Sequence, residues 1–145
     1  MTEIEFHFNV PGKLQYACRL LRKVHKSGAR AIVTAEQNIL QELDRVLWQV
    51  SPTSFLPHCM SGAPAQSLAA SPIWLATDLQ ECPRDSVLIN LGQGIPDGFD
   101  GFSRFLELVS EDPADRLAGR GRWKHYKDKG FELLRHDLAA NREAA

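Results

Sequence analysis

An α/β domain built on a largely parallel sheet is the fold class this sequence predicts, from three observations. The first fifty residues alternate strand and helix patterns twice. Parallel neighbours in a sheet need a helical crossover of that kind. Two later apolar runs, Ile73–Ala76 and Val87–Leu91, are short and bounded by turn residues, as further strands of the same sheet would be. At 145 residues the chain predicts one domain, 1–145, large enough to bury a core without disulfides or metals.

Each element has its own signal. Residues 3–8, EIEFHF, alternate polar and apolar and place Ile4, Phe6 and Phe8 on one face of a strand. Pro11-Gly12 breaks it. Residues 13–27 carry Leu14, Ala17, Leu20 or Leu21, and Val24 at helical spacing, and Gly28 supplies a stop. RAIVTAE gives a buried strand over 31–35. A second helix over 36–50 turns Ile39, Leu40, Leu43, Val46 and Leu47 inward. Residues 51–71, rich in Ser, Pro, Ala and Gly, read mostly as loop. The loop GQGIPDGFDG leads into a segment read as a helix from Phe102 to Val109, and a basic helix and a short C-terminal segment follow.

Apolar residues make up 43% of the chain and charged residues 24%, ordinary for a soluble globular protein. No apolar run approaches the roughly 18 residues of a membrane span. The opening MTEIEFHFNV lacks the basic start of a secretory signal. Cys18, Cys59 and Cys82 are an odd number without C-x-x-C spacing, which predicts reduced thiols in a cytoplasmic protein. Charge is more informative. Residues 116–129 hold six bases against one acid, Asp128, a net +5 in a chain whose total is −1, so everything else carries −6. Proteins that track a nucleic-acid backbone spread basic charge more widely. A local concentration favours a small anionic partner.

Cofactor chemistry finds little support. After the first strand stands NVPGK with one glycine, not G-x-G-x-x-G. Gly92-x-Gly94 is followed by Asp97 in place of the third glycine, with Pro96 interrupting the helix start. No P-loop is present. The five histidines are scattered, without a second pair at ligand spacing beside His58-Cys59, and no G-x-S-x-G occurs. No metal, no cofactor and no catalytic residue are expected.

On the basic helix, Arg116, Arg120, Trp123, Lys124 and Lys127 share an arc of about 100°, four cations around one indole. His125 lies opposite, Leu117 and Tyr126 flank the stripe, and Arg122 lies well outside it. An inward stripe would need apolar residues, so this one faces water. Like charges so spaced repel by roughly a few tenths of a kcal/mol per pair, a cost that alternating signs would avoid. Gly119 and Gly121 each cost about 1 kcal/mol relative to Ala within a helix; they also thin the surface beside Arg120. The competing reading is a solvated face with Trp123 tucked sideways into the core. A ligand matching the stripe is a short acidic peptide ending in a hydrophobic residue, its carboxylate on an Arg fork. Single-stranded nucleic acid is the rival, but would want several aromatics along a groove. A second patch, LWQVSPTSFLPHC, sets Trp48, Phe55 and Pro57 at and beyond the end of the second helix, as a lid on the core or a docking surface.

These patches, in this order, resemble the chi subunit of bacterial DNA polymerase III holoenzyme. The resemblance rests on the early strand and helix with FHF, LDRVLWQVSPTSFLPH, DSVLINLG, FSRFLELV and AGRGRWKHYKDKGFELLRHDL, nearly the full length. W-x(6)-F-x-P-H and R-W-K-x-Y-x-x-x-G-F are its most specific elements. The resemblance implies a Rossmann-like three-layer fold without a nucleotide-binding fingerprint, and a non-catalytic subunit acting at the bacterial replisome. It implies binding of the acidic C-terminal tail of single-stranded DNA-binding protein through Val109, Arg116, Arg120, Trp123, Lys124 and Lys127, with DNA contacted only indirectly. Through Trp48, Phe55 and Pro57 it implies contact with the psi subunit of the clamp loader, and a repair helicase as competitor there. The paired glycines depart from what a continuous helix would favour and predict fraying or a shifted register near Arg120. A nucleotide-binding or single-stranded-nucleic-acid-binding α/β domain is the alternative.

Overall fold

The computed structural model describes residues 2–49, 57–80 and 82–139. Seven strands form one sheet: β1 (Glu3–Val10), β2 (Ala31–Thr34), β3 (His58–Met60), β4 (Ile73–Ala76), β5 (Val87–Asn90), β6 (Arg104–Ser110) and β7 (Leu133–Asp137). Their order is β3-β4-β2-β5-β6-β1-β7, and all six pairings are parallel. Helices α1 (Lys13–Lys26) and α2 (Gln37–Gln49) cover one face, and α3 (Ala65–Ala70) and α4 (Pro113–Asp128) the other. The three-layer, Rossmann-like α/β architecture follows.

Pleating explains how one sheet feeds two cores. Val33, Leu75, Ile89 and Leu106 point towards α1 and α2, where Ala17, Leu21, Leu40 and Leu43 meet them. Their chain neighbours Ile32, Trp74, Leu88 and Phe105 point the opposite way, towards Tyr126 of α4. Each such fully buried large side chain contributes about 1.5–3 kcal/mol. α1 ends where the sequence predicts: Lys23, His25 and Lys26 occupy its last turn, and Gly28 takes a left-handed φ of 84° just beyond.

Two expectations need correction. The segment read as a helix from Phe102 to Val109 is β6, a buried strand in the middle of the sheet. Its apolar positions Phe105, Leu108 and Val109 mimic helical spacing because a strand buried on both faces loses its alternation. Residues 51–71 are also less irregular than their composition predicts. β3 and α3 fall within them, three and six residues long, too short to show a period; residues 51–56 lie outside the described part of the chain.

Candidate functional site

Helix α4 begins at Asp112, whose carboxylate accepts from the Asp115 N–H at 3.2 Å, with Pro113 in the first turn. Asp115 then turns inward. It accepts from the Ser110 N–H at 2.7 Å and from Lys13 Nζ at 3.1 Å. Burial opposes its ionisation, yet these partners hold the carboxyl below its ordinary range. One end of the helix is thereby tied to β6 and α1.

The inward face of α4 is Asp115, Gly119, Arg122 and Tyr126, mostly polar where an apolar stripe is the usual rule. Each position has a specific counterpart on the sheet. Gly119 abuts Val109, leaving no room for a Cβ. Arg122 Nε donates to Glu107 Oε2 at 3.0 Å, and the Tyr126 hydroxyl donates to the same oxygen at 2.6 Å. Asn90 Nδ2 donates to Glu107 Oε1 at 3.0 Å. Burial pushes the Glu107 carboxyl up, against the pull of Arg122, Tyr126 and Asn90. Burial and the neighbouring Glu107 likewise push the Tyr126 hydroxyl up. The Arg122 and Tyr126 hydrogen bonds to Glu107, the first of them also an ion pair, lock the helix in rotation. The glycine pair does not fray it: α4 is continuous from Pro113 to Asp128, because Gly119 is a close-packing position.

With that face fixed, the basic ridge is turned outward. Arg116, Arg120, Lys124 and Lys127 are exposed, and among the described residues none of them enters an ion pair. Trp123 is half-buried at the border. Its indole lies edge-on to Phe6, 5.0 Å between centroids, and 5.8 Å from Phe8. It is both part of the core wall and part of the ridge.

A cavity of about 250 Å³ opens beside it, lined by Phe8, Asn9, Val109, Arg116, Arg120, Trp123 and Arg135. A bulge in β1 creates this space. Between His7 and Val10 the strand spends two residues where β6 spends one, and Asn9 adopts a left-handed φ of 57°. The Asn9 side chain donates to Asp137 Oδ1 at 2.8 Å. Phe8, Trp123 and Val109 form an apolar floor. Arg116, Arg120 and Arg135 supply three guanidinium groups, and among the described residues no carboxylate lines the cavity. Arg135 lies with its Cζ 5.2 Å from the centre of the Phe8 ring.

Of the residues the sequence singles out, Val109, Arg116, Arg120 and Trp123 converge here. Lys124 and Lys127 stand on the same exposed ridge outside the cavity. Phe8, Asn9 and Arg135 are additions. Phe8 and Asn9 arrive on β1 at its bulge, and the parallel pairing of β1 with β7, which sets Phe6 opposite Arg135, brings Arg135 to the site, with no local pattern to report it.

Trp48 is 62% exposed at the end of α2. Its ring lies 5.4 Å from that of His58, which pairs with Asp44 at 2.9 Å. Pro57 is half-buried nearby in sequence, and Phe55 lies outside the described residues. The loop Gly92–Gly101 runs into a 3-10 turn, Phe99–Gly101, and then into β6, so no helix N-terminus stands ready for phosphate. The Glu36 carboxylate accepts from the Gln93 N–H at its start. The histidines are less scattered than their spacing predicts: His7 and His136 face each other, 5.0 Å between ring centroids.

Comparison with known proteins converges on one family. The family described as DNA polymerase III chi subunit, HolC, matches residues 1–134. A DNA polymerase III subunit chi of Pseudomonas aeruginosa is 32% identical over 143 residues, 95% of this chain and 98% of that protein. The subunit chi of Haemophilus influenzae is 32% identical over 121 residues, 82% and 83% of the two chains. That of Escherichia coli is 26% identical over 121 residues, 82% and 81%.

Proposed function

This chain belongs to the DNA polymerase III chi subunit family, and on that premise we propose that it is a non-catalytic tether. It links the replicative polymerase assembly to single-stranded DNA-binding protein by holding that protein's acidic C-terminal tail. The supporting observation is the cavity at the β1 bulge, with three arginines above an apolar floor and no acid among the described residues that line it.

Each feature matches a feature of such a tail. A volume of about 250 Å³ suits one large side chain with a terminal carboxylate, and falls below the roughly 300–1,000 Å³ of whole-ligand pockets. Arg116, Arg120 and Arg135 offer planar forks to the carboxylate. Lys124 and Lys127 extend the positive field along the helix and steer the tail's acids. A charge-assisted contact contributes about 1.5–3 kcal/mol at most, less when exposed. A few of them give micromolar binding, near −8 kcal/mol. Weak contacts suit a hand-off, since many tails sit on one coated strand and rebinding is frequent.

The exposed Trp48 at the end of α2 supports a second docking surface, for the psi subunit of the clamp loader and a competing repair helicase, with Pro57 and Phe55 as its other members. The two surfaces are carried by different helices and should be separable. The test of the tether is capture of single-stranded DNA-binding protein on immobilised chain. Full-length protein should be retained, and protein lacking its last few residues should not. Equal retention of both would overturn the reading.

A further inference from the structure

On the α1 side of the sheet, away from the arginine-lined cavity, Glu5, His7 and His136 gather in one place. We propose that these three side chains bind a zinc-like divalent transition-metal ion, which clips the edge strand β7 to β1. Strand register brings them together. Glu5 and His7 are two apart on β1 and therefore share a face, and His136 of β7 is paired directly opposite His7. A ligand nitrogen or oxygen from each of the three lies within 4.8 Å of the others. Two imidazoles and a carboxylate are a ligand set that suits zinc, with a fourth position left for water.

The distances suit insertion of an ion. Ligand atoms at about 2.0–2.1 Å from a tetrahedral ion stand roughly 3.3 Å apart. Glu5 Oε1 is already 3.3 Å from His7 Nε2. His136 Nε2, 2.6 Å from the same oxygen, must retreat by a fraction of an ångström, and its side chain is half-exposed on an edge strand and free to do so. Supporting contacts are in place behind the ligands. The Tyr16 hydroxyl faces His7 Nδ1; as donor or acceptor it serves either tautomer, so Nε2 can present its lone pair. Arg104 holds the other oxygen of Glu5, Oε2, at 3.3 Å, which leaves Oε1 as the ligand. A cavity of about 440 Å³ bordered by Glu5, His7, Tyr16, Arg104 and His136 gives access.

The experiment uses the full chain and the metals alone. Cobalt chloride titration should give one ion per chain with the intense visible bands of a four-coordinate nitrogen and oxygen site, and zinc should displace it. Zinc should also raise the melting temperature. His136→Ala, on the exposed edge, should melt normally without metal, bind cobalt more than about tenfold more weakly, and lose the zinc-induced rise. Absence of uptake, sulfur-to-cobalt charge-transfer bands that place the ion on cysteines, or a His136→Ala variant that binds as tightly as the parent would each overturn the proposal.

Discussion

A Cβ at Gly119 would stand 2.7 Å from Cγ2 of Val109. This contact joins the helix that carries the basic ridge to the strand that floors the cavity, since Val109 lines it. The spacing between α4 and β6 is therefore set by a missing side chain.

Gly119→Ala should destabilise the protein by about 1–3 kcal/mol through overpacking, and displace Arg120 and Trp123 relative to Phe8. Gly121, two residues on, has open space around it. There Ala should stabilise by about 0.5–1 kcal/mol. Urea denaturation of the two variants checks both signs, and equal effects would contradict the close-packing account.

Glu107 and Arg122 are both buried and depend on each other. Glu107→Gln keeps the shape but leaves a buried guanidinium without its counter-charge. A loss of about 3–5 kcal/mol is expected, read from denaturant midpoints at unchanged slope. A loss below about 1 kcal/mol would mean that the pair does not fix α4.

Asp115 makes stability depend on acid. Its carboxyl is held below the ordinary aspartate value in the folded state, so the folded protein binds that proton less readily than the unfolded chain does. The contribution is complete above the unfolded value, near 4, and is lost as pH falls from there through the folded value. Melting temperatures followed downward from about pH 5 should fall less steeply in Asp115→Asn than in the parent. Parallel curves would contradict this assignment.

Arg135 and Lys127 separate the cavity from the ridge. Arg135→Ala should weaken an acidic tail peptide about tenfold, mainly through faster dissociation. Lys127→Ala, outside the cavity, should mainly slow association and flatten its salt dependence. Stopped-flow binding resolves the two, and identical effects would dissolve the distinction.

The second docking surface has its own variant. Trp48→Ala should abolish co-purification with a clamp-loader subunit while tail-peptide affinity stays within about twofold; loss of both together would indicate misfolding, not a docking residue.

The basic ridge is legible in the sequence because residues four apart share a helix face whatever the helix packs on. The buried face of α4 is not: Asp115, Gly119, Arg122 and Tyr126 carry no apolar period, and each meets a specific partner on the sheet. β6 is misread as helix because it is buried on both sides. The β1–β7 pairing, which joins Asn9 to Asp137 across 128 residues, leaves no local trace. Arg135 and the Glu5–His7–His136 cluster both depend on it.

The tether stands most directly on a calorimetric double-mutant cycle at Arg120. One arm is the parent and Arg120→Ala; the other is an acidic peptide ending in an aromatic residue, with its terminal carboxylate free or amidated. Either change alone should cost about tenfold or more, near 1.4 kcal/mol, and the second should add little once the first is made. Unchanged affinity in both arms, or losses that simply add, would contradict a carboxylate seated on this guanidinium.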